Sequence, residues 1–365
     1  MQESKKILFL SNHFITLFFF RKELIKRLID RGHEVYLSMP EDERQSFFED
    51  MGAKLIATPM SRRGMNPAED LKLIANYRRI VKEVAPDIVF SYTIKPNIYG
   101  TMVTNALGCK QVCNVTGTGA TFLKESALAK LSRLLYRISM KKTYKVFFQN
   151  SGDRDYFIRH KMVEDNYEML PGSGVNLEQH RLCPMPDTDE LRFIYIGRVM
   201  AVKGVEQYLD AAKYIREKYP QTRFYIAGFI EEERFKPIVE EYHEQGIVNY
   251  LGFRKDIDDW IEHCHCTVLA SLGGEGVPNV LLESAATGRV CISSDINGSR
   301  EVVDDGLTGF LFAPGDSAGL IEKLERFISM SRDEREAMGR RGREKMEKEF
   351  DREIVISKYI QEAEA

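Results

Sequence analysis

Residues 191–204 read LRFIYIGRVMAVKG. A mostly apolar run ends in a glycine, and two cations, Arg198 and Lys203, follow before the next glycine. The residues from about Val205 to Tyr219 then predict a helix that stops before Pro220. A buried strand that passes through a glycine loop into a helix is typical of a parallel α/β sheet.

The same alternation of strand and helix occurs in both halves of the chain. In the first half, short apolar runs predict buried strands, and helices are expected between them. The strands are Lys6–Leu10, His33–Ser38, Lys54–Ile56 and Asp87–Phe90, and the helices run from about Phe18 to Arg31 and from about Asp70 to Glu83. In the second half, a further strand is expected over Arg223–Ala227. We therefore predict an α/β fold with two Rossmann-like parallel-sheet domains facing a cleft.

A segment rich in glycine and proline, from Gly172 to Pro186, separates the two halves. We expect an N-terminal domain over residues 1–172, a C-terminal domain over 173–346 and a last helix over 347–365 that packs back on the first domain. Ligands of open parallel sheets bind outside the carboxyl ends of the strands. The loops expected at the cleft follow Leu10, Phe90, Ile196, Ala227 and Leu269.

The composition excludes several classes of protein. Hydrophobic residues make up 43% and charged residues 29% of the 365 residues, the balance of a globular chain of about two domains. The net charge of −3 argues against a general nucleic-acid binder. The longest apolar stretch, Phe14–Phe20, is far short of the roughly 20 residues that span a bilayer, and no signal-peptide cleavage site follows it.

The six cysteines match no zinc-ribbon or zinc-knuckle spacing, and they fit a reducing cytosol. The run His263-Cys264-His265-Cys266 has the residue types of a metal site. If it forms a strand, its side chains alternate between two faces and cannot converge on one ion. We therefore expect no metal site and a cytoplasmic location.

Arg198 and Lys203 form the first chemical signal. They follow a predicted strand at the edge of the sheet where phosphates often bind. Arginine offers a planar fork of donors and lysine a point charge, which together suit a diphosphate. The alternative is that both are ordinary surface cations on a loop.

The second signal is the stretch 273–283, GGEGVPNVLLE. Its glycines let the backbone approach a ligand closely, and Pro278 suits the first position of a helix whose free amides favour a phosphate. Glu283 should lie about 7–8 Å along that helix and could reach a ribose, while Glu275 reaches a group beyond the phosphates. The alternative is that Glu283 pairs with a neighbour and Glu275 is solvated.

Together, Arg198, Lys203, and Glu275 followed by Glu283 after seven residues resemble the retaining family-four glycosyltransferases of the GT-B type. The segments 172–176, 251–256 and 298–311 match the same family, so the resemblance covers essentially the whole chain. The N-terminal half resembles the branch that builds bacterial capsular polysaccharides, exopolysaccharides and lipid-linked oligosaccharides. That second resemblance rests on SYTIKPN at 91–97 and TGTG at 116–119.

The resemblance implies transfer of a sugar, a hexose, N-acetylhexosamine or uronic acid, from a UDP-sugar to a lipid-linked saccharide with retained anomeric configuration. The N-terminal domain then binds the acceptor, and the C-terminal domain binds the nucleotide sugar. Arg198 and Lys203 inherit the contacts to the diphosphate, Glu275 those to the sugar and Glu283 those to the ribose. No cofactor and no metal ion is implied, because protein cations neutralise the leaving phosphate. The remaining residues expected at the donor are Gly252, Phe253 and Arg254 against the base, and Gly276, Val277, Pro278, Asn279 and Val280.

Two positions depart from the family pattern. Many relatives carry a histidine near the reacting centre where this chain reads NVTGTG at 114–119, and Gly274 replaces a common basic residue. The leaving phosphate is commonly proposed to take the acceptor proton in such enzymes, and we assign no side chain to that role. On the acceptor side the candidates are Thr116, Gly117, Thr118 and His13, whose imidazole touches a substrate or simply caps a helix.

The stretch Lys124–Lys145 is strongly basic, and its apolar residues recur at helical spacing. The basic residues are Lys124, Lys130, Arg133, Arg137, Lys141, Lys142 and Lys145, and the apolar ones are Leu128, Leu131, Leu134, Leu135 and Ile138. With Phe18–Phe20 and Arg21–Lys22, this helix predicts peripheral contact with the inner face of a bacterial plasma membrane. The alternative is a core-facing helix with a solvated basic face.

Three other functions are weaker candidates. A nucleotide-sugar epimerase has the same architecture but lacks the pattern of Arg, Lys and paired Glu. A non-catalytic partner subunit should have lost one of those four residues, and all four are present. A dinucleotide dehydrogenase is disfavoured because no G-x-G-x-x-G follows the first strand.

Overall fold

The computed structural model describes residues 3–61, 66–119, 122 and 125–365. The chain divides into one unit of Met1–Ser173 with Glu353–Ala365 and a second unit of Gly174–Arg352. The second unit thus continues past the expected boundary at residue 346. The reason is a short parallel bridge between Val175 and Asp351, in which the Val175 amide donates to Phe350 and the Arg352 amide donates to Val175.

The first unit contains a parallel sheet of seven strands in the order β3-β2-β1-β4-β5-β6-β7. Its strands are β1 (Lys6–Leu10), β2 (Glu34–Met39), β3 (Lys54–Ala57), β4 (Ile88–Tyr92), β5 (Lys110–Val115), β6 (Lys145–Phe148) and β7 (Tyr167–Met169). Buried aliphatic and aromatic side chains cover both faces, as a sheet packed between helices requires.

Six helices connect these strands. They are α1 (Phe14–Asp30), α2 (Ser46–Asp50), α3 (Pro67–Val84), α4 (Thr101–Leu107), α5 (Ala127–Met140) and α6 (Ser151–Arg159). Helix α1 begins four residues before the expected Phe18, because the His13 side chain accepts a hydrogen bond from the Ile15 amide and caps the helix there. A π-helical turn, Pro96–Gly100, precedes α4.

The second unit contains a parallel sheet of six strands in the order β10-β9-β8-β11-β12-β13. Its strands are β8 (Leu191–Ile196), β9 (Thr222–Ala227), β10 (Asn249–Gly252), β11 (Cys266–Leu269), β12 (Val290–Ser294) and β13 (Gly309–Phe312). Its helices are α7 (Val205–Lys218), α8 (Lys236–Glu244), α9 (Ile257–His263), α10 (Asn279–Ala286), α11 (Ser299–Val302), α12 (Ser317–Ser329) and α13 (Arg332–Glu349). The predicted α/β class with two parallel sheets is confirmed.

The last helix, α14 (Arg352–Glu364), packs on the sheet of the first unit. The Tyr359 ring lies 5.0 Å from that of Phe90 and 5.4 Å from that of Phe147, measured between centroids. The Tyr359 hydroxyl also donates to the Asn114 side chain. The carboxyl-terminal helix is therefore part of the first unit's core.

Arg21 is 2% exposed, so the expectation that it joins Lys22 in a membrane-facing pair is wrong. Its guanidinium lies 5.0 Å from the Tyr92 ring and 5.1 Å from the Tyr359 ring, and its Nε donates to the Tyr92 hydroxyl over 3.2 Å. The helical period places Arg21 on the same buried face of α1 as Leu17 and Leu24. Among the described helices, none is both long and apolar enough to cross a bilayer.

Candidate functional site

In the second unit, the loop after β8 carries Arg198 at the carboxyl edge of the sheet. The Tyr195 hydroxyl donates to the Arg198 carbonyl over 2.8 Å, which fixes the backbone of the loop. The Arg198 side chain is 41% exposed and lies 3.7 Å from the Glu231 carboxylate. Arg198 is thus an accessible cation whose position is biased by an acidic neighbour.

The turn that carries Lys203 is packed against the end of β11. Gly204 has φ 71°, and a Cβ there would lie 1.8 Å from the Ala270 carbonyl oxygen, so only glycine fits. The Leu272 amide donates to the Val202 carbonyl over 2.9 Å and joins the two loops. Lys203 is therefore held at a fixed place on the sheet edge.

Lys203 and Glu275 form an ion pair in which both side chains are largely shielded. The Ser271 hydroxyl donates to the same Glu275 carboxylate oxygen over 2.8 Å. The sequence indicates separate roles for Lys203 at a diphosphate and Glu275 at a sugar, but it gives no sign that the two touch. Their contact arises because the loops after β8 and β11 leave adjacent strands.

The glycine loop leads into helix α10 as expected, with one difference. Pro278 has extended backbone angles and is the residue before the helix, so the first helical residue is Asn279. A Cβ at Gly298 would lie 1.5 Å from the Gly276 carbonyl oxygen, so the following α11 segment clamps the loop. Val277 is buried, and Val280 is half-buried beside it. The amino end of α10 is therefore held in a fixed position, and the positive end of its dipole suits an anion.

Glu283 lies one turn further along α10 and is half-buried. Burial raises the pKa of its carboxyl to about 7; the Asp258 carboxylate raises it further, and the Arg352 guanidinium opposes both. Its protonation therefore changes near neutral pH. This property was not predicted from the sequence, because it depends on packing.

The loop after β10 holds the three residues expected against the base. Gly252 has φ 67°, and the Phe253 ring is 65% exposed. Arg254 makes a two-pronged ion pair with Asp256 at 2.8 and 2.5 Å and lies 5.8 Å from the Trp260 ring. An exposed ring beside a fixed guanidinium can stack on a planar base.

The acceptor-side candidates lie in the first unit, at the carboxyl edge of its sheet. His13 caps α1. Of its two expected roles, contact with a substrate or capping of a helix, the structure shows the second. Thr116, Gly117 and Thr118 follow β5, and the Thr118 hydroxyl donates to Asp153 over 3.2 Å. Asp153 was not predicted, and burial raises the pKa of its carboxyl to about 6.

The run from His263 to Cys266 does not form a single strand. His263 ends helix α9, and Cys266 begins β11. The His265 imidazole accepts from the Arg192 amide over 3.2 Å, and burial lowers its pKa to about 4. Within the described ranges, no group of three or more His, Cys, Asp or Glu side chains could hold a metal ion.

Helix α5 exposes four of its five Leu and Ile side chains, while Leu135 is half-buried and packs against the core. Its buried residues are Ala129, Ser132, Tyr136, Ser139 and Met140. The aliphatic residues Leu128, Leu131, Leu134 and Ile138 are 44%, 42%, 48% and 58% exposed. Among the basic residues, Arg133 is turned inward to Glu125 and Tyr156, whereas Lys130, Arg137 and Lys142 are exposed. Lys124 lies outside the described residues.

Three polar residues of the two edges were missed by sequence reasoning. Ser271, Glu231 and Asp153 each follow a strand or open the helix after it, at the carboxyl edge of a sheet. For Ser271 and Glu231 their position was the available signal, since the loops after Leu269 and Ala227 were expected to line the site. Strand β6, which precedes Asp153, was not predicted. Residue type alone did not distinguish them from solvated side chains.

Comparison with known proteins matches both units to glycosyltransferase families. A family described as "Glycosyl transferase 4-like" matches residues 6–150, and one described as "Glycosyl transferases group 1" matches residues 184–345. A Campylobacter jejuni protein, N,N'-diacetylbacillosaminyl-diphospho-undecaprenol alpha-1,3-N-acetylgalactosaminyltransferase, is 26% identical over 338 residues, which cover 87% of this chain and 88% of that protein.

Two further known proteins are also similar to this chain, one in sequence and one in structure. The Escherichia coli UDP-Gal:alpha-D-GlcNAc-diphosphoundecaprenol alpha-1,3-galactosyltransferase is 27% identical over 76% of this chain and 75% of its own length. The crystal structure of Anabaena HepE in complex with UDP and glucose superimposes with a TM-score of 0.78 at 18% identity, over 98% of both chains. The fold is therefore that of the GT-B glycosyltransferases. The chain belongs to the glycosyltransferases, with a 4-like domain in its first half and a group 1 domain in its second.

Proposed function

We propose that the enzyme transfers a sugar from a UDP-sugar to a saccharide linked to a polyprenyl diphosphate, with retention of anomeric configuration. The observation that carries the proposal is the placement of Arg198, Lys203 and the amino end of α10 on one sheet edge of the second unit. Two cations and a helix terminus suit a diphosphate leaving group.

The names of similar proteins support the choice of substrates. The Campylobacter protein is named for a diphospho-undecaprenol-linked sugar, and the Escherichia coli protein is named for UDP-Gal and a diphosphoundecaprenol-linked GlcNAc. HepE was crystallised with UDP and glucose. We extend a nucleotide diphosphate donor and a lipid-linked acceptor to this chain.

The Lys203–Glu275 pair gives a way to couple donor binding to site assembly. When a diphosphate arrives, Lys203 moves its hydrogen bonds from the carboxylate to a phosphate oxygen. Glu275 can then accept hydrogen bonds from sugar hydroxyls, while Ser271 keeps the carboxylate in place. The exchange replaces one charged partner by another, so the ammonium is not left unpaired.

In the transfer step, the bond between the anomeric carbon and the β-phosphate oxygen breaks, and a bond to the acceptor oxygen forms. Negative charge grows on the leaving diphosphate, where Arg198 and Lys203 stabilise it without rearranging. The acceptor hydroxyl gives its proton to that phosphate oxygen. We propose that these cations replace a metal ion in this role.

We further propose that helix α5 rests on an anionic membrane surface at the inner leaflet, where the lipid-linked acceptor lies. Its outward side combines four exposed aliphatic residues with the exposed cations Lys130 and Arg137, and the exposed Lys142 follows the end of the helix. Each basic residue near such a surface contributes about 1 kcal/mol. Exposed leucines on one helix face supply the complementary apolar contact.

A donor screen tests the proposal. The full chain is incubated with a panel of UDP-sugars, and release of UDP is measured with and without a polyprenyl-diphosphate-linked saccharide. We expect one donor to be hydrolysed slowly alone and to be used faster with the acceptor. Failure of every UDP-sugar, with turnover of another nucleotide sugar, would overturn the donor class.

A further inference from the structure

The first unit contains a cavity of about 470 Å³ at the carboxyl ends of β3 and β4. The chain reaches it after β3 at Met60, along the first turns of α3 and after β4 at Lys95. Ligands of open parallel sheets bind at this edge. None of the candidate site residues named above is among the described residues that line it.

A shielded ion pair forms one wall of the cavity. Asp70 is 6% exposed and accepts from the Lys95 ammonium over 2.9 Å and from the Tyr99 hydroxyl over 2.9 Å. A carboxylate has about four lone-pair sites, so two further donors fit on Asp70. A largely buried ion pair contributes little to stability, so its position beside an open cavity points to recognition.

The chain enters this wall through an unusual conformation. Thr93 directly follows β4 with φ 71°, in the left-handed region that a β-branched residue rarely adopts. Its buried hydroxyl has no hydrogen-bond partner among the described residues, and the π-helical turn Pro96–Gly100 comes next. Strained backbone and π-helical turns both concentrate at functional sites.

We propose that this cavity binds a neutral saccharide, the sugar of the lipid-linked acceptor; this step rests on the proposed function. Among the described residues of its lining, the carboxylates of Glu69 and Asp70 balance the ammonium groups of Lys72 and Lys95. Sugar hydroxyls both donate and accept, and the lining offers a carboxylate, an ammonium and the Asn76 amide.

The remaining lining completes the match to a sugar ring. Met60 and Leu73 supply apolar surface for the C–H face of a pyranose or for an acetamido methyl group. The alternation of charged and apolar lining fits a saccharide better than an acyl or isoprenoid chain, which would bury the ion pair without hydrogen bonds.

The test uses the full chain and four free sugars, glucose, galactose, N-acetylglucosamine and N-acetylgalactosamine, in saturation-transfer NMR. At least one sugar should bind, and Asn76→Ala and Lys95→Met should each raise its Kd at least tenfold. Lys82→Ala, on the same helix away from the cavity, should change Kd less than twofold. Asn76 is half-buried and polar, so its variant folds even if loss of Lys95 destabilises Asp70.

Calorimetry with UDP separates this inference from the donor assignment. Unchanged UDP binding in Asn76→Ala, with weakened sugar binding, supports the cavity as a distinct saccharide site. The inference is overturned if none of the four sugars binds, if Asn76→Ala behaves like Lys82→Ala, or if inorganic pyrophosphate displaces the bound sugar. Failure of wild-type protein to bind UDP overturns the donor assignment alone.

Discussion

Lys203 donates its ammonium hydrogen bond to Glu275, 72 residues further along the chain. The Ser271 hydroxyl holds the same carboxylate oxygen. Lys203, the cation proposed to bind the diphosphate, and Glu275, the anion proposed to bind the sugar, therefore form an ion pair before any donor binds. This relationship makes donor binding an exchange of partners, and it gives the first prediction.

Glu275→Gln should strengthen UDP binding while it weakens sugar transfer. Without the carboxylate, Lys203 no longer has to leave a charged partner, so the Kd for UDP should fall by up to about tenfold, equivalent to about 1.4 kcal/mol. Turnover should fall at least tenfold because the sugar loses a charged acceptor. Titration calorimetry and UDP-release assays measure the two effects. Weaker UDP binding in Glu275→Gln would contradict the exchange.

Lys203→Ala and Arg198→Ala should each reduce turnover without unfolding the chain. Each removes a charged hydrogen bond to the diphosphate worth about 1.5–3 kcal/mol, which corresponds to a loss of roughly tenfold to more than a hundredfold. Lys213→Ala, an exposed lysine on α7, is the matched control and should keep wild-type turnover. Wild-type rates in both site variants would refute the assignment.

UDP affinity should rise as the pH increases from 6 to 8. The Glu283 pKa of about 7 lies above the ordinary 4.5, so the carboxyl is mostly protonated at pH 6 and ionised at pH 8. The ionised fraction grows about tenfold over that range, and only the carboxylate accepts from both ribose hydroxyls. Calorimetry on wild type and Glu283→Gln isolates this group, because titration of the ligand is common to both. Parallel pH profiles would show that Glu283 does not contact the ribose.

The same group makes a prediction about stability in the absence of ligand. Its pKa is raised from 4.5 to about 7 in the folded chain, so protonation favours the folded state and that contribution is lost as the pH rises from about 4.5 to about 7. Glu283→Gln should therefore lower the pH dependence of the denaturation midpoint between about pH 5 and 7. An unchanged dependence would place the titration elsewhere.

Binding to membranes should require the exposed leucines of α5. The wild-type chain should bind anionic vesicles, less at high salt, and bind neutral vesicles weakly. A variant with Leu128, Leu131, Leu134 and Ile138 changed to Ser should lose this binding in sedimentation assays and keep donor hydrolysis. Leu71→Ser removes a still more exposed leucine from α3 and serves as the control. Equal binding to neutral and anionic vesicles, or none to either, would contradict the proposal.

Activity should persist in excess chelator. Arg198, Lys203 and the amides at the start of α10 are proposed to carry the charge of the leaving group, so removal of divalent ions should leave the rate within about twofold. UDP release in EDTA, compared with added Mg²⁺ or Mn²⁺, measures this. Complete loss of activity in chelator, with recovery when Mg²⁺ is added, would contradict the proposal that the protein's own cations suffice.

The local pattern of the sequence predicted part of the framework, while strands β5, β6, β7, β10, β12 and β13 were not predicted. The strands expected from short apolar runs are present, and their ends shift by only one or two residues. The two cations after β8 and the glycine loop before α10 lie at the sheet edge, as expected. These features depend on neighbours within a few residues, which periodicity and turn residues reveal directly.

Contacts between distant segments could not be obtained in that way. From the sequence Arg21 was expected to be a surface cation, yet α1 packs its guanidinium against the Tyr92 and Tyr359 rings. The leucine stripe of α5 was visible from its spacing, but its direction was not, because periodicity defines a face without saying what covers it. Burial, together with Asp258 and against Arg352, sets the Glu283 pKa near 7.

By itself, then, the sequence determined the two α/β sheets and placed Arg198 and Lys203 at the end of a strand. Only the tertiary structure decided that Lys203 meets Glu275, that Arg21 is buried, and that α5 turns its leucines outward. The physical reason is that backbone periodicity is a local property, whereas ion pairing and burial depend on which strands lie side by side in the sheet.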